Sequence, residues 1–253
     1  MRTENAVSTW QIESDNFSDN SVTSVRSDDV PLKWAHDART SEPRYIHESQ
    51  VVNRECTCVC PACNKNLTPV MAGQPLRTHP TAHFRHPSGA TKDSCILVSA
   101  HLAATRFLSD SGFIELPRRT MSRTATGFSG EDYEVWVEAP AERRVVKHAQ
   151  LLDRVTAELT LDDGRKLLVD LTGHRAPDDA CDGQAIVTIA LSDPELAMLG
   201  PEEIRFRLRI LPGVRWCAHW NDAALAAKGD AMALQTACDA LDSWRSEDEA
   251  EFR

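Results

Sequence analysis

The sequence lacks any long apolar run. No stretch approaches the roughly 20 consecutive apolar residues that a membrane span requires. The first residues also lack the basic-then-apolar order of a secretory signal. We therefore expect a cytoplasmic protein with no membrane partner.

Basic residues are scarce as well, with 28 Lys and Arg against 38 Asp and Glu, a formal net charge of −10. Both ends carry the acidic excess: residues 1–49 hold 5 basic and 9 acidic residues, and residues 221–253 hold 3 and 8. Between residues 50 and 125 there are 9 basic and 4 acidic residues, a local charge of +5. Since binding responds to the local field, this part can attract DNA, or it is an ordinary mixed surface. The acidic ends suggest protein partners.

The chain of 253 residues is long enough for two units. Residues 1–49 are rich in Ser, Asp, Asn and Thr without a sustained apolar period, which predicts a flexible N-terminal arm. Trp34 is the one residue there that we expect to dock locally. A metal-held module over 50–95, a larger domain over 96–244 and an acidic tail over 245–253 complete the expected organisation.

Four of the eight cysteines, Cys56, Cys58, Cys60 and Cys63, fall within eight residues and precede a histidine pair. In a reducing compartment this arrangement indicates metal binding, whereas disulfides are typical of secreted chains. The alternative is that these cysteines are buried thiols and the histidines are polar loop residues.

The pattern Cys60-Pro-Ala-Cys63 places two thiolates at the spacing of a zinc knuckle. After a loop rich in Pro and Gly, His86 and Cys95 provide an imidazole and another thiolate, and ligation would offset the entropy of closing that loop. Four protein ligands predict a closed, structural zinc site. Two alternatives stay open: His83 in place of His86, and Cys56 or Cys58 as a partner for Cys60.

The elements after the zinc segment predict a mixed α and β domain. Ser94 is a candidate cap for a helix through CILVSAHLAATRFL, and FIELP and YEVWVE have the composition of strands. Residues 151–172 predict a β-hairpin around Asp-Asp-Gly, in which a two-residue turn would set Asp170 opposite Ala157. AIVTIAL predicts a central strand covered on both faces, and a final helix is expected over roughly 222–244.

CPAC, then HFRH, then Cys95, and then a helix with His101 together resemble the N-terminal half of the CoiA-like competence nuclease family. The similarity extends through IELP, the LLDRV and DDGRKLLVDLTG hairpin, AIVTIALSD and WCAHW, over about residues 55 to 222. It implies a small zinc-held module followed by a restriction-endonuclease-like PD-(D/E)XK core, a mixed sheet flanked by helices.

The resemblance implies a hydrolase in which two or three carboxylates hold Mg²⁺ or Mn²⁺ against the scissile phosphate of DNA. Asp153 and Asp170 occupy the matching places, and Glu115 on the preceding strand is the third candidate. Thr172 stands where the family has a lysine or glutamine, which leaves Lys166, about 13 Å along the strand, as the replacement. The alternative for the acids is a structural role at the hairpin ends, and His101 is expected to be a structural imidazole.

Three functions are compatible with these residues. The first is a metal-dependent nuclease whose zinc segment grips the DNA backbone through Arg77, Arg85 and Lys92. The second is a catalytically degraded relative that only binds nucleic acid or a protein. The third is a ββα-metal nuclease centred on the His83 to His86 segment, with one histidine as the base.

Overall fold

The computed structural model describes residues 30–74, 81–87, 91–175 and 184–251. They form a mixed α and β fold, as expected, in which a curled six-stranded sheet and its helices follow a smaller N-terminal part. The elements of the smaller part are β1 (Trp34–Asp37), β2 (Pro43–Tyr45), α1 (Ser49–Val52), β3 (Cys58–Val59), β4 (Thr68–Val70) and β5 (His83–Arg85). β2, β1 and β3 form one antiparallel sheet in that order, and β4 pairs with β5.

The predicted flexible arm is wrong for residues 30–49, while residues 1–29 lie outside the described part. Trp34 is 1% exposed, and its indole nitrogen donates a 2.9 Å hydrogen bond to the carbonyl of Leu199. The Ser99 hydroxyl donates to the Trp34 carbonyl at 3.0 Å. The apolar periodicity of this segment is weak because only a few of its large side chains are buried, including Leu32 and Ile46.

The long helix α2 (Asp93–Ser111) connects the two parts of the molecule. Lys92 precedes its first turn and Ser94 lies inside it, so the helix begins one residue before the expected cap position. It ends at Gly112, whose φ of 71° is the left-handed conformation that glycine adopts without strain. Almost every residue from Cys95 to Thr105 is buried, which makes α2 the central helix of the core.

The main sheet consists of β6 (Phe113–Leu116), β9 (Glu142–Leu151), β10 (Thr156–Leu161), β11 (Lys166–Asp170), β12 (Ala185–Thr188) and β13 (Arg215–Ala218). The strand order is β13-β12-β11-β10-β9-β6. Only β11 and β12 are parallel. All four residues of β12 are buried, which confirms a strand covered on both faces, although β12 lies next to the edge strand β13 and not at the centre of the sheet.

The β10–β11 hairpin is confirmed, but its register differs by one residue from the predicted one. Asp170 lies opposite Thr156, and Thr160 lies opposite Lys166. The reason is the turn: it contains three residues, 162–164, with Gly164 at a φ of 82°, instead of two. Every side chain of β11 therefore meets a different partner from the expected one.

A separate antiparallel hairpin, β7 (Arg119–Thr126) with β8 (Asp132–Ala139), packs against the final helix α4 (Asp222–Glu251). Most of the predicted acidic tail is thus helical, because α4 continues to Glu251, and residues 252 and 253 lie outside the described part. A short 3-10 helix (Pro194–Met198) and α3 (Pro201–Arg207) complete the fold and pack against α2.

Candidate metal centre and the neighbouring acidic pair

Four of the predicted ligands meet at one point. The ligand atoms of Cys60, Cys63, His86 and Cys95 all lie within 4.8 Å of one another. Within the described ranges this is the one group of three or more such residues close enough to hold a metal ion. The predicted Cys3His ligand set is therefore confirmed as a possible metal site.

A tight turn after β3 brings the first two thiols together. The amide of Cys60 donates to the carbonyl of Lys65 at 2.9 Å, and the amide of Asn64 donates to the carbonyl of Cys60 at 2.9 Å. Asn64 has a φ of 56°, a left-handed conformation that asparagine tolerates better than most residues. The chain thus reverses within the Cys-Pro-Ala-Cys motif and directs both sulfurs to one side.

His86 follows β5 and is buried. Its Nε2 lies 3.6 Å from the Sγ of Cys63, and its Nδ1 lies 3.5 Å from the Thr91 hydroxyl. A proton on Nδ1 directed at Thr91 leaves Nε2 free to bind a metal, as in most histidine–metal sites. Burial, and then the charge of Lys65, lowers the pKa of His86, which favours the neutral ligand form.

One distance within the cluster fits tetrahedral zinc coordination. With a Zn–S bond of about 2.3 Å and a Zn–N bond of about 2.0–2.1 Å, sulfur and nitrogen ligands stand about 3.6 Å apart. The observed distance from Cys63 Sγ to His86 Nε2 is 3.6 Å. Four protein ligands leave no open position, which is typical of structural zinc.

The two thiols of the knuckle differ in their environment. Burial, assisted by the neighbouring Cys95, raises the pKa of Cys60 to about 12. Burial also acts to raise the pKa of Cys63, but hydrogen bonds from the Lys65 amide and the neighbouring thiols outweigh it and lower that pKa. Because the pKa of Cys60 is raised, a zinc ion would have to displace the thiol proton in order to bind the sulfur. We therefore expect metal binding to weaken as the pH falls.

The alternative ligands are not used. The Nδ1 of His83 lies 2.8 Å from the carbonyl of Thr81, and His83 is not a member of the ligand group. Its neighbour Phe84 is buried, so strand alternation sends His83 to the other face of β5. Cys56 and Cys58 are joined to each other in a disulfide.

Asp170, at the end of β11, is 5% exposed and surrounded by donors. The Thr172 hydroxyl lies 3.0 and 2.9 Å from its two carboxylate oxygens, and the Thr188 hydroxyl donates at 2.6 Å. The backbone amides of Arg175 and Thr172 donate as well. Burial alone would raise the pKa of Asp170, but these hydrogen bonds outweigh it and lower the pKa.

Asp153 lies in the exposed turn between β9 and β10 and not at the head of a strand. Its Oδ1 accepts hydrogen bonds from the amides of Val155 and Thr156, both at 2.8 Å, which fixes the turn. Thr156 is also the residue opposite Asp170, so the turn and the end of β11 are neighbours.

His101 of α2 lies against the same turn and is fully buried. Its Nδ1 lies 2.6 Å from the carbonyl of Arg154, and its Nε2 lies 3.2 Å from the Ser192 hydroxyl. Burial lowers the pKa of His101, although the Arg154 carbonyl and the charges of Asp170 and Asp153 act in the opposite direction. Both ring nitrogens have partners, which agrees with the expected structural role.

Glu115 and Lys166 do not join the acidic pair. Glu115 is on β6, three strand spacings or about 14 Å from β11, so it is too far to share a metal ion with Asp170. Lys166 begins β11, and its ammonium forms a 2.9 Å ion pair with Glu158. Glu115 is thus separated from Asp170 by two intervening strands, and Lys166 lies at the opposite end of β11 from Asp170.

Among the residues that the structure describes, Asp153 and Asp170 are not joined into a group of three or more possible metal ligands. The carboxylate of Asp170 offers about four lone-pair sites, and two hydroxyls and two amides already occupy them. No third carboxylate joins Asp153 and Asp170 among the described residues. A hard cation that needs several free oxygen ligands would have to displace these donors.

Three residues that contact these sites were not predicted from the sequence. Thr188 reaches Asp170 from a parallel strand, and no local pattern sets that register. Arg154 donates from the acidic turn to the carbonyl of Ala62 in the zinc loop. The charge of Lys65 acts to lower the pKa of both Cys63 and His86. Its position two residues after Cys63 was the sequence signal that could have identified it. Arg77, one of the expected phosphate contacts, lies outside the described residues.

Comparison of the chain with protein-family models, with curated proteins and with solved structures gave no match. Among the described residues, no helix combines the length and the apolar character needed to cross a membrane.

Proposed function

We propose that this chain is a zinc-stabilised nucleic-acid-binding protein, related to the CoiA-like nucleases but without their hydrolytic reaction. The observation that carries the proposal is that the carboxylate of Asp170 already accepts hydrogen bonds from within the protein. One donor is the hydroxyl of Thr172, which stands at the position of the expected lysine. The zinc cluster provides the shape of the binding surface, and the acidic pair stabilises the end of the sheet.

The loss of hydrolysis follows from charge. Phosphodiester cleavage needs positive charge beside the transferred phosphoryl group, supplied by metal ions and basic side chains. Thr172 is neutral, and Lys166 is held by Glu158 on the neighbouring strand. The buried, hydrogen-bonded Asp170 then has the environment of a structural residue.

Binding is supported by three cations next to the metal ligands. Lys65 follows Cys63 by two residues, Arg85 precedes His86, and Lys92 precedes Cys95 by three. All three are exposed, and none forms an ion pair with a described residue. In contrast, the sheet and hairpin arginines Arg119, Arg123 and Arg144 are paired with acids. The zinc surface therefore has the free cations that phosphates require.

The decisive experiment measures binding and cleavage on the same preparation. Zinc-loaded protein is titrated into a fluorescently labelled DNA duplex at 50 and 200 mM salt, and incubated with plasmid in Mg²⁺ or Mn²⁺. Three phosphate contacts predict that Kd rises by about 40-fold between the two salt concentrations. We expect this salt dependence without any nicking of the plasmid.

The matched variants separate the zinc surface from general charge. The triple variant Lys65→Gln, Arg85→Gln, Lys92→Gln is expected to lose most of the binding and of its salt dependence. Lys166→Gln, which removes an ion-paired cation of the sheet, serves as the control and should bind as the wild type does. Equal binding by the triple variant and the wild type would contradict the proposal.

The second candidate is the metal-dependent nuclease itself. It is favoured by the placement of Asp153 and Asp170 at the same end of the sheet, both close enough to His101 to affect its pKa. Nicking that requires Mg²⁺ or Mn²⁺ and disappears in Asp170→Ala would establish it. Asp153→Asn, on the exposed turn, tests the same reaction without disturbing a buried group.

A further inference from the structure

Two cysteines that the metal site does not use form a site of their own. Cys56 and Cys58 are joined in a disulfide, with their Cα atoms 5.2 Å apart. This separation lies inside the range of about 4.4–6.8 Å that disulfides require. The chain therefore holds the two sulfurs within bonding reach of each other, separated by a single residue.

The disulfide contributes little to the stability of the fold. A cross-link stabilises a fold in proportion to the logarithm of the loop that it closes, and here the loop contains only Thr57 between the cysteines. Both ends are also fixed by other contacts: the Cys56 amide donates to the Gln50 carbonyl at 3.0 Å, and Cys58 pairs with Asp37 across β3 and β1. The local fold thus has little need of the bond.

The two cysteines differ in exposure, and both lie close in the chain to the candidate ligand Cys60. Cys56 is half-buried between the exposed residues Glu55 and Thr57. Cys58 is buried two residues before the candidate ligand Cys60, and its carbonyl accepts a 2.8 Å hydrogen bond from the Leu67 amide. A small oxidant can reach the half-buried Cys56. The buried Cys58 then serves as the resolving thiol.

We propose that Cys56 and Cys58 form a reversible thiol–disulfide site whose oxidant is a hydroperoxide. The Cys56 sulfur attacks the O–O bond, giving a sulfenic acid and releasing an alcohol, or water from hydrogen peroxide. The Cys58 sulfur then displaces the hydroxyl as water and forms the S–S bond. In total two thiols lose two protons and two electrons, and one O–O bond is reduced.

The consequence concerns the zinc ligands. In the reduced chain two additional sulfur donors stand two and four residues before Cys60, where they compete for the metal. Oxidation removes both donors and leaves the four residues of the candidate metal site, Cys60, Cys63, His86 and Cys95. The neighbouring thiol also stops the oxidation of Cys56 at the reversible disulfide, because an intramolecular partner reacts faster than a second peroxide. This inference does not rest on the proposed nucleic-acid binding.

The test uses the reduced, zinc-loaded full chain and hydrogen peroxide added in small portions. Peptide mass spectrometry follows the segment that contains both cysteines, and a colorimetric chelator follows released zinc. We expect a mass loss of two hydrogens on that peptide, full reversal by dithiothreitol, and retained zinc. Zinc release before the mass loss, a gain of oxygen at Cys56 instead of a disulfide, or no oxidation in excess peroxide would each overturn the proposal.

Variants keep the proposal testable. Cys56→Ser should retain zinc under reducing conditions and lose the reversible mass change, and Cys58→Ser should replace that change by oxygen addition at Cys56. Cys238→Ser, which removes an exposed thiol of α4, is the matched control and should respond as the wild type does. Unaltered disulfide formation at this segment in Cys56→Ser would show that another thiol is the partner and would overturn the assignment.

Discussion

The guanidinium of Arg154 donates a 3.3 Å hydrogen bond to the carbonyl of Ala62. Ala62 lies between the ligands Cys60 and Cys63, and Arg154 follows Asp153 in the turn before β10. The carbonyl of Arg154 is in turn 2.6 Å from His101 of α2. The metal loop, the acidic turn and the central helix are therefore in contact, although they are far apart in the sequence.

Removal of the metal should unfold the N-terminal part of the chain. Structural zinc contributes an apparent binding free energy of about 10–16 kcal/mol in small zinc peptides, which is comparable with the whole free energy of unfolding of a domain. We expect a strong chelator to lower the Tm, with the loss reversed by zinc. Metal analysis and calorimetry of Cys95→Ser should show the same loss without chelator.

The matched control for the ligand variant is Cys238→Ser. Cys238 is exposed on α4, and its substitution should change the free energy of unfolding by less than about 0.5 kcal/mol. Full zinc content in Cys95→Ser would contradict the assigned ligand set.

Substitution of His101 should destabilise the chain. His101→Ala empties a fully buried position, leaves the Arg154 carbonyl without its imidazole partner and removes one of the two hydrogen-bond partners of the Ser192 hydroxyl. We expect a loss of about 2–4 kcal/mol in the free energy of unfolding from urea titrations, since cavity and unsatisfied hydrogen bonds both contribute. His148→Ala, on an exposed position of β9, should have almost no effect.

Stability should fall between neutral and mildly acidic pH. The pKa of His101 is lowered from 6.5, mainly by burial, so the unfolded chain binds its proton more readily than the folded chain does. The stabilisation from neutral His101 is complete above about pH 6.5 and is lost as the pH falls toward the folded pKa. The pKa values of His36, His47, His86 and His219 are lowered as well. A Tm that rises from pH 7.5 to pH 5 would contradict this prediction.

Asp170→Asn should cost about 1–3 kcal/mol at neutral pH, because an amide group directed at hydroxyl and amide donors leaves buried partners unsatisfied. The lowered pKa of Asp170 sets the pH window: its stabilisation is present above pH 3.8 and is lost as the pH falls through the folded value. The difference in unfolding free energy between wild type and variant should therefore be constant near neutrality and shrink in acid. Asp239→Asn, on the exposed side of α4, is the control.

Trp34→Ala tests whether residues 30–49 belong to the folded core. Removal of a fully packed indole and its hydrogen bond to Leu199 should cost about 3–5 kcal/mol in urea unfolding. Trp136→Ala removes an indole that is 64% exposed and should stay within about 0.5 kcal/mol of the wild type. Similar values for the two variants would mean that the N-terminal segment is loosely attached.

The candidate metal ligands could be predicted from the sequence because chelation requires fixed residue types at short spacings, and Cys60 and Cys63 supply them. The hairpin and the buried strand could be predicted for a similar reason, since a glycine turn and an unbroken apolar run are local signals. The surroundings of Asp170 could not. They depend on a hairpin register shifted by one residue, which the turn decides, and on Thr188 from a strand that is parallel to β11.

The first turn of α2 carries Cys95, and two turns later the same helix carries His101. A metal ion bound to Cys95 would therefore anchor the element around which the rest of the molecule is packed. In a cell short of zinc, newly made chains would present this helix unanchored and would be degraded sooner. The abundance of the protein should then follow the supply of zinc, even when its synthesis is constant.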